Sequence, residues 1–373
     1  MNRLIIKKLY INNKKIIFND HVNYIVGRNA SGKTTLFKLI RYIFGLEYSI
    51  PEYINLNSTY LKINCFIGDR EIIIKRELNS NYIEFKGDFN KKVKIKSKEF
   101  NEIYYSLFKP TFNIEKDKKS AVQILNAGFI DDDFLLFSKK NNDLIKKIFG
   151  INIDIVKRSK TEIIEYSEKL KYNKASSDLI KNYKKRVNKV LINKYNDKIE
   201  ERDKEIFENI LNEEYINFQE SYIKQEEFLE QAKSAHKKLR TKSNDLYNDR
   251  LNNLKSEFFS YQTKLGFTKT FDINDVFYFG KVNNYSYGQI MLLQLLVVLL
   301  FTQNNNTNVV NPIPIIMSDA IFNFLDEKLL YKIHNFILEI SKKNNLQYIE
   351  FINSKEKINS NNIILDLNKE GVF

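Results

Sequence analysis

The sequence predicts an α/β protein whose two halves are separated by a helical insertion. Three observations carry that reading. An apolar strand, a glycine-rich loop and an amphipathic helix follow one another between Val22 and Phe44; residues 151–265 contain neither Gly nor Pro; and helix and strand alternate again from Ile290 to Ile352. At 373 residues, 43% hydrophobic and 28% charged, the chain can bury a large core, which excludes a mainly disordered or fibrous protein.

Leu4–Tyr10 and Lys15–Phe18 read as short strands, and Val22–Val26 (VNYIV) as a buried strand stopped by Gly27. Leu36, Phe37, Leu39, Ile40 and Phe44 recur at helical intervals, predicting a helix over Lys33–Phe44. Tyr60–Phe66, Arg70–Arg76 and Tyr82–Phe85 alternate as antiparallel strands do, with turns at Gly68 and residues 79–81. The Gly- and Pro-free insertion predicts a long helical hairpin folding back near Asn212, with residues 175–178 and 241–249 as further candidate breaks. Such a turn would set the basic run Lys181, Lys184, Lys185, Arg186 and Lys189 beside a second cluster, Lys233, Lys237, Lys238, Arg240 and Lys242. Side by side they would make a DNA-binding surface; taken singly, each is a solvated helix face. An apolar helix (Ile290–Phe301), a loop (Gln303–Asn311), a buried strand (Ile313–Met317), a helix (Glu327–Lys342) and a strand (Gln347–Ile352) complete the chain. The expected domains are residues 1–150, 151–265 and 266–373.

The longest apolar run, Ile290–Phe301, falls short of the ~20 residues that cross a bilayer. The start of the chain lacks a secretion signal and Cys65 is the single cysteine, so a reducing cytoplasm is expected. Three scattered histidines and one cysteine supply no four-ligand zinc site. The net charge of +14 points to an anionic partner, for which nucleic acid is the usual case, although enrichment in Lys, Ile and Asn along the whole chain raises the lysine count by itself.

The sharpest motif is Gly27-Arg28-Asn29-Ala30-Ser31-Gly32-Lys33-Thr34, a complete GxxxxGK[ST] loop between an apolar strand and a helix, with Thr35 following. Its glycines let the backbone wrap a phosphate chain and turn N–H groups towards the anion. Lys33 supplies a charge for the β and γ phosphates, and the Thr34 hydroxyl suits Mg²⁺. Asp319, after Pro-Ile-Ile-Met-Ser at residues 314–318, is placed as the carboxylate that orients metal-bound water; alone it would read as a turn or cap residue.

Together with the strand pair preceding GRNASGKTT and the helical insertion, two further segments, YSYGQ at 285–289 and DAIFNFLD at 319–326, make the chain resemble the ABC-type ATPase heads of the SMC, RecF and RecN class over nearly its whole length. The resemblance implies a P-loop head made of a mixed sheet plus an antiparallel β subdomain, binding ATP and Mg²⁺. It also implies a homodimer or higher homo-oligomer sandwiching nucleotide, in which Ser286 and Gly288, with Gln289, close on the partner's γ-phosphate and Asp326 reaches across. Gln123 stands near the position of the family's metal-contacting glutamine. Two departures bear on turnover: Ala320 occupies the position of the glutamate that polarises the attacking water, and Asn353 or Ser354 that of the switch histidine. A methyl group is no base, so hydrolysis is expected to be slow; Glu327 reads as a first-turn helix residue and not a replacement. The insertion carries no Cys-x-x-Cys, which excludes a zinc-hook apex. The resemblance supports two readings: an ATP-gated machine acting on DNA in anti-phage defence or repair, its head lysines (Lys86, Lys91, Lys92, Lys94, Lys96) gripping the duplex, or an ATP-gated scaffold that holds and releases a separately encoded nuclease or toxin. A transporter subunit is disfavoured by the long insertion.

Overall fold

The computed structural model describes residues 3–47, 60–108, 118–131, 142–194, 200–267, 270–277, 287–303, 307–319, 327–353, 358 and 360–370. The chain opens with β1 (Leu4–Ile11), β2 (Lys14–Ile17), β3 (Val22–Val26) and α1 (Lys33–Ile43). Four strands follow, β4 (Tyr60–Ile67), β5 (Arg70–Glu77), β6 (Tyr82–Lys86) and β7 (Lys91–Lys94), then α2 (Lys98–Phe108), α3 (Lys118–Asn126), β8 (Phe129–Ile130) and α4 (Asn142–Ile148). Two long helices, α5 (Ile153–Lys194) and α6 (Glu201–Leu265), form the insertion. The return is made by α7 (Ile273–Phe277), α8 (Tyr287–Leu300), β9 (Ile316–Asp319), α9 (Glu327–Asn344), β10 (Tyr348–Ile352) and β11 (Ile363–Asp366). The chain divides into two compact units, Met1–Ile151 with Leu246–Phe373, and Asn152–Asp245.

The larger unit holds two sheets. One is antiparallel, in the order β2-β1-β4-β5-β6-β7; the other is parallel, in the order β11-β3-β10-β9-β8. Alternation in β4 and β5 turns Leu61, Ile63, Cys65, Ile72 and Ile74 inward. β3 and β10 are buried at every residue, as expected of strands covered on both faces. α8 is buried around most of its circumference, from Met291 to Leu300, which explains its near-continuous apolar sequence. Buried Gln347 fastens the two sheets: its Nε2 donates to Ile6 O (2.8 Å) and Asn19 O (2.7 Å), and its Oε1 accepts from Ile6 N (2.7 Å). Arg3, also buried, donates to Ile313 O (2.6 Å), Asn344 O (3.3 Å) and Thr302 O, joining the start of the chain to its last third. Burial lowers its pKa to about 9.

The structure departs from the sequence reading in several places. The strand expected at Ile313–Met317 starts at Ile316 and carries Asp319 as its last residue. The short β7, β8 and β11 were not legible as strands, having four residues or fewer. α5 and α6 run unbroken through residues 175–178 and 241–249. α6 also runs straight through Asn212, so the expected fold-back there is incorrect; the chain reverses between Lys194 and Glu201. Register follows from side-chain pairs: Ser159 Oγ with His236 Nδ1 (2.8 Å), Tyr166 stacked on Phe228 (6.0 Å between centroids), Asn173 Nδ2 to Ser221 Oγ (2.8 Å) and Gln219 Nε2 to Ser177 Oγ (2.6 Å). Asn212 stays helical because its neighbours are good helix formers and its side chain accepts from Lys184 Nζ. The two basic clusters are therefore not juxtaposed. The run around Lys184 lies along the acidic beginning of α6, and the cluster around His236 faces the beginning of α5.

Candidate functional site

The parallel sheet brings the candidate residues to its carboxyl edge, where open α/β sheets bind ligands. β10 lies between β3 and β9, with Phe351 level with both Ile25 and Asp319. The chain leaving β3 and the end of β9 thus open onto the same edge, about 10 Å apart across one intervening strand. Gly27 N donates to Ile352 O (3.1 Å), continuing the β3–β10 ladder into the loop. Ala30 (φ 62°) and Gly32 (φ 94°) then turn the backbone through the left-handed region, and Ser31 N closes a tight turn on Arg28 O (3.1 Å). Gly27 is required sterically: a Cβ there would meet Ser31 Oγ at 2.1 Å and Leu367 Cβ at 3.1 Å. α1 begins at Lys33 with no side-chain cap, so its first-turn N–H groups face the loop cavity as anion donors.

Lys33 is buried, and its ammonium donates to Gly27 O (2.7 Å) and Arg28 O (2.7 Å), leaving its third hydrogen for an anionic oxygen. Burial lowers its pKa and the charge of nearby Asp319 opposes that shift. Asp319 is itself buried, at 7% exposure, which keeps its field little screened. Arg28, Asn29, Ala30 and Thr34 are exposed while Thr35 is buried, so the loop crest and the Thr34 hydroxyl are open to a ligand. Ser31 Oγ is shielded from solvent and has no hydrogen-bond partner among the described residues. This donor set fits a phosphate chain with a hard divalent cation: backbone N–H groups, one buried ammonium, one hydroxyl and one carboxylate.

Gly288 and Gln289 occupy the first turn of α8. Gln123 is exposed on α3, ahead of β8, and accepts from Lys147 Nζ (2.8 Å). Asn353 directly follows β10. Ser286, Ala320, Asp326 and Ser354 lie outside the described residues. Among the described residues no cluster of three or more His, Cys, Asp or Glu could hold a metal, and no helix is long and apolar enough to cross a membrane.

The structure also adds partners that the motif does not reveal. Asn368 Oδ1 accepts from Arg28 N (2.8 Å), so the segment after β11 supports the loop. On the other face of the sheet, buried Glu350 accepts from Tyr348 Oη (2.6 Å) and from Ser318 Oγ, the residue before Asp319. Phe351, the next residue, packs on Phe37 of α1, so Glu350 lies on the face of β10 turned away from the loop. Tyr24 Oη is 2.7 Å from His334 Nδ1, and burial lowers the His334 pKa to about 4.

The fold is that of the SMC-type ATPase head. Over 94% of this chain and 90% of the other, it is similar to the Smc head domain of Pyrococcus furiosus, which has an extended coiled coil and is bound to the C-terminal domain of ScpA, at TM-score 0.54 and 15% identity. The Smc head domain of Pyrococcus yayanosii, with a coiled coil and joint, is similar over 95% of this chain and 96% of that one, at TM-score 0.48 and 13% identity. No family model matches the sequence, and no curated protein matches it.

Proposed function

We propose that the protein is an ATP-binding switch acting on DNA, whose heads pair around two nucleotides. The observation that supports this best is the meeting of Lys33 and Asp319, both buried, at the carboxyl edge of a parallel sheet beside a loop with left-handed Ala30 and Gly32 and the uncapped start of α1. In this reading Lys33 and the first turn of α1 hold the β and γ phosphates, and the Thr34 hydroxyl and Asp319 carboxylate hold Mg²⁺, which supplies charge neutralisation on the phosphates. Asn368 fixes the loop from behind through Arg28 N.

Gly288 and Gln289, at the start of α8, together with Ser286 and Asp326 complete the site of a second copy, as the resemblance implies. Because Ala320 offers no base, the paired state persists and turnover is slow. A long-lived closed state suits a device that signals occupancy, in anti-phage defence or repair. Sedimentation velocity with Mg-ATP tests this: the wild type should shift from monomer to dimer, and Ser286→Arg should stay monomeric while still binding ATP. Dimerisation of Ser286→Arg equal to wild type would overturn the sandwich.

A further inference from the structure

The outer face of the antiparallel sheet carries a pattern that the ATP site does not use. Cross-strand register sets Lys15, Tyr10, Lys62, Lys75, Glu84 and Lys92 in one row across all six strands. At about 4.8 Å between strands the row is about 24 Å long. Lys62 and Lys75 stand directly opposite each other on neighbouring central strands, an arrangement that costs stability. Beside the row stand two exposed tyrosines, Tyr60 (38% exposed) and Tyr82 (48% exposed). Each ring carries a lysine: Lys62 lies 4.7 Å from the Tyr10 centroid, Lys75 5.7 Å from Tyr60 and Lys92 6.0 Å from Tyr82.

Lys94, opposite Tyr82, extends the positive charge. Of the glutamates on this face, Glu84 is paired with Lys86 (3.4 Å), and Glu71 and Glu77 lie towards the strand ends opposite Phe66 and Tyr60. Lys91, by contrast, turns to Glu99 of α2 (2.9 Å).

We infer that this face is a platform for single-stranded nucleic acid. A lysine beside each exposed ring lets a base stack on the tyrosine while its phosphate meets the ammonium, and base–aromatic stacking contributes about 1–3 kcal/mol per base. A duplex keeps its bases stacked within itself, so it would use the lysines and leave Tyr60 and Tyr82 without a role. The inference deepens the DNA-acting reading and rests on it for the class of partner.

The test uses fluorescence anisotropy of the full chain with labelled oligodeoxythymidylate of about 20 nucleotides and with a duplex of equal length, over a KCl series. Mg-ATP affinity and circular dichroism are measured on the same samples, so that failure here is separable from failure at the P-loop. The single strand should bind more tightly than the duplex. Tyr60→Leu with Tyr82→Leu should weaken it at least about tenfold, the effect of one lost stacking interaction, with the salt slope retained. Lys62→Gln with Lys75→Gln should lower that slope by roughly 1.4, about 0.7 per phosphate contact, and raise the melting temperature by relieving the opposed charges. Tighter duplex binding that ignores the tyrosines would reassign the face to duplex backbone and overturn the proposal. Absence of single-strand binding in a folded, ATP-binding protein would overturn it equally.

Discussion

Gln347 shows how much one side chain can hold. Its amide serves both backbone groups of Ile6 and the carbonyl of Asn19, far away in sequence, with no exposure to water. Gln347→Leu would leave the backbone groups of Ile6 buried and without this partner, Asn19 O keeping its bond from Asn23 Nδ2 (2.9 Å), so it should destabilise the protein by about 2–4 kcal/mol in urea unfolding, a cost near zero indicating that water reaches them. His334 makes a pH-dependent contribution. Its folded pKa of about 4 lies below the ordinary 6.5, so between these values the unfolded chain binds the extra proton and stability rises with pH. The contribution is complete above pH 6.5 and is lost as pH falls towards 4, amounting to about 3 kcal/mol. The stability difference between wild type and His334→Gln should therefore shrink by that amount from pH 7 to pH 4; parallel curves would contradict it. The loop was legible at this scale because its chemistry is contiguous: Gly27, Lys33 and Thr34 sit within eight residues. Asn368, Gln347 and Glu350 were not, because what gives them meaning is a partner on another strand.

At the scale of elements, long periodic segments were readable and short or unpunctuated ones were not. α1, α8, α9 and the central strands follow from hydrophobic spacing. β11 is four residues long, yet it flanks β3 and positions the segment that supports the loop. The hairpin apex was misplaced because a single Asn is a weak helix breaker, costing only a fraction of a kcal/mol that a side-chain partner offsets. The correction changes the electrostatics, since the basic run of α5 lies against the acidic beginning of α6 and not beside another basic cluster. The polar pair Ser177–Gln219 within this hairpin offers a direct check of register. Gln219→Leu alone should cost about 1 kcal/mol by stranding Ser177, and adding Ser177→Ala should restore most of it. Additive losses in the double variant would mean that the two residues do not face each other.

On the scale of the whole molecule, the first and last thirds of the chain build one compact unit with the fold of an ATPase head, with Arg3 and Gln347 as seams between them. The residues gathered around the glycine loop come from both thirds: Lys33 from the first, Asp319 and Asn368 from the last. Part of the positive balance of +14 stands on the antiparallel sheet face. All of this has a functional meaning only if the loop of Gly27 to Thr34 holds a triphosphate. Equilibrium titration of the purified protein with a fluorescent ATP analogue in Mg²⁺, set beside Lys33→Ala, measures that directly. Saturable binding in the wild type, lost by at least about a hundredfold in a Lys33→Ala protein of unchanged circular dichroism, is the predicted result; equal affinity in the two proteins, or none in a folded wild type, would contradict the account.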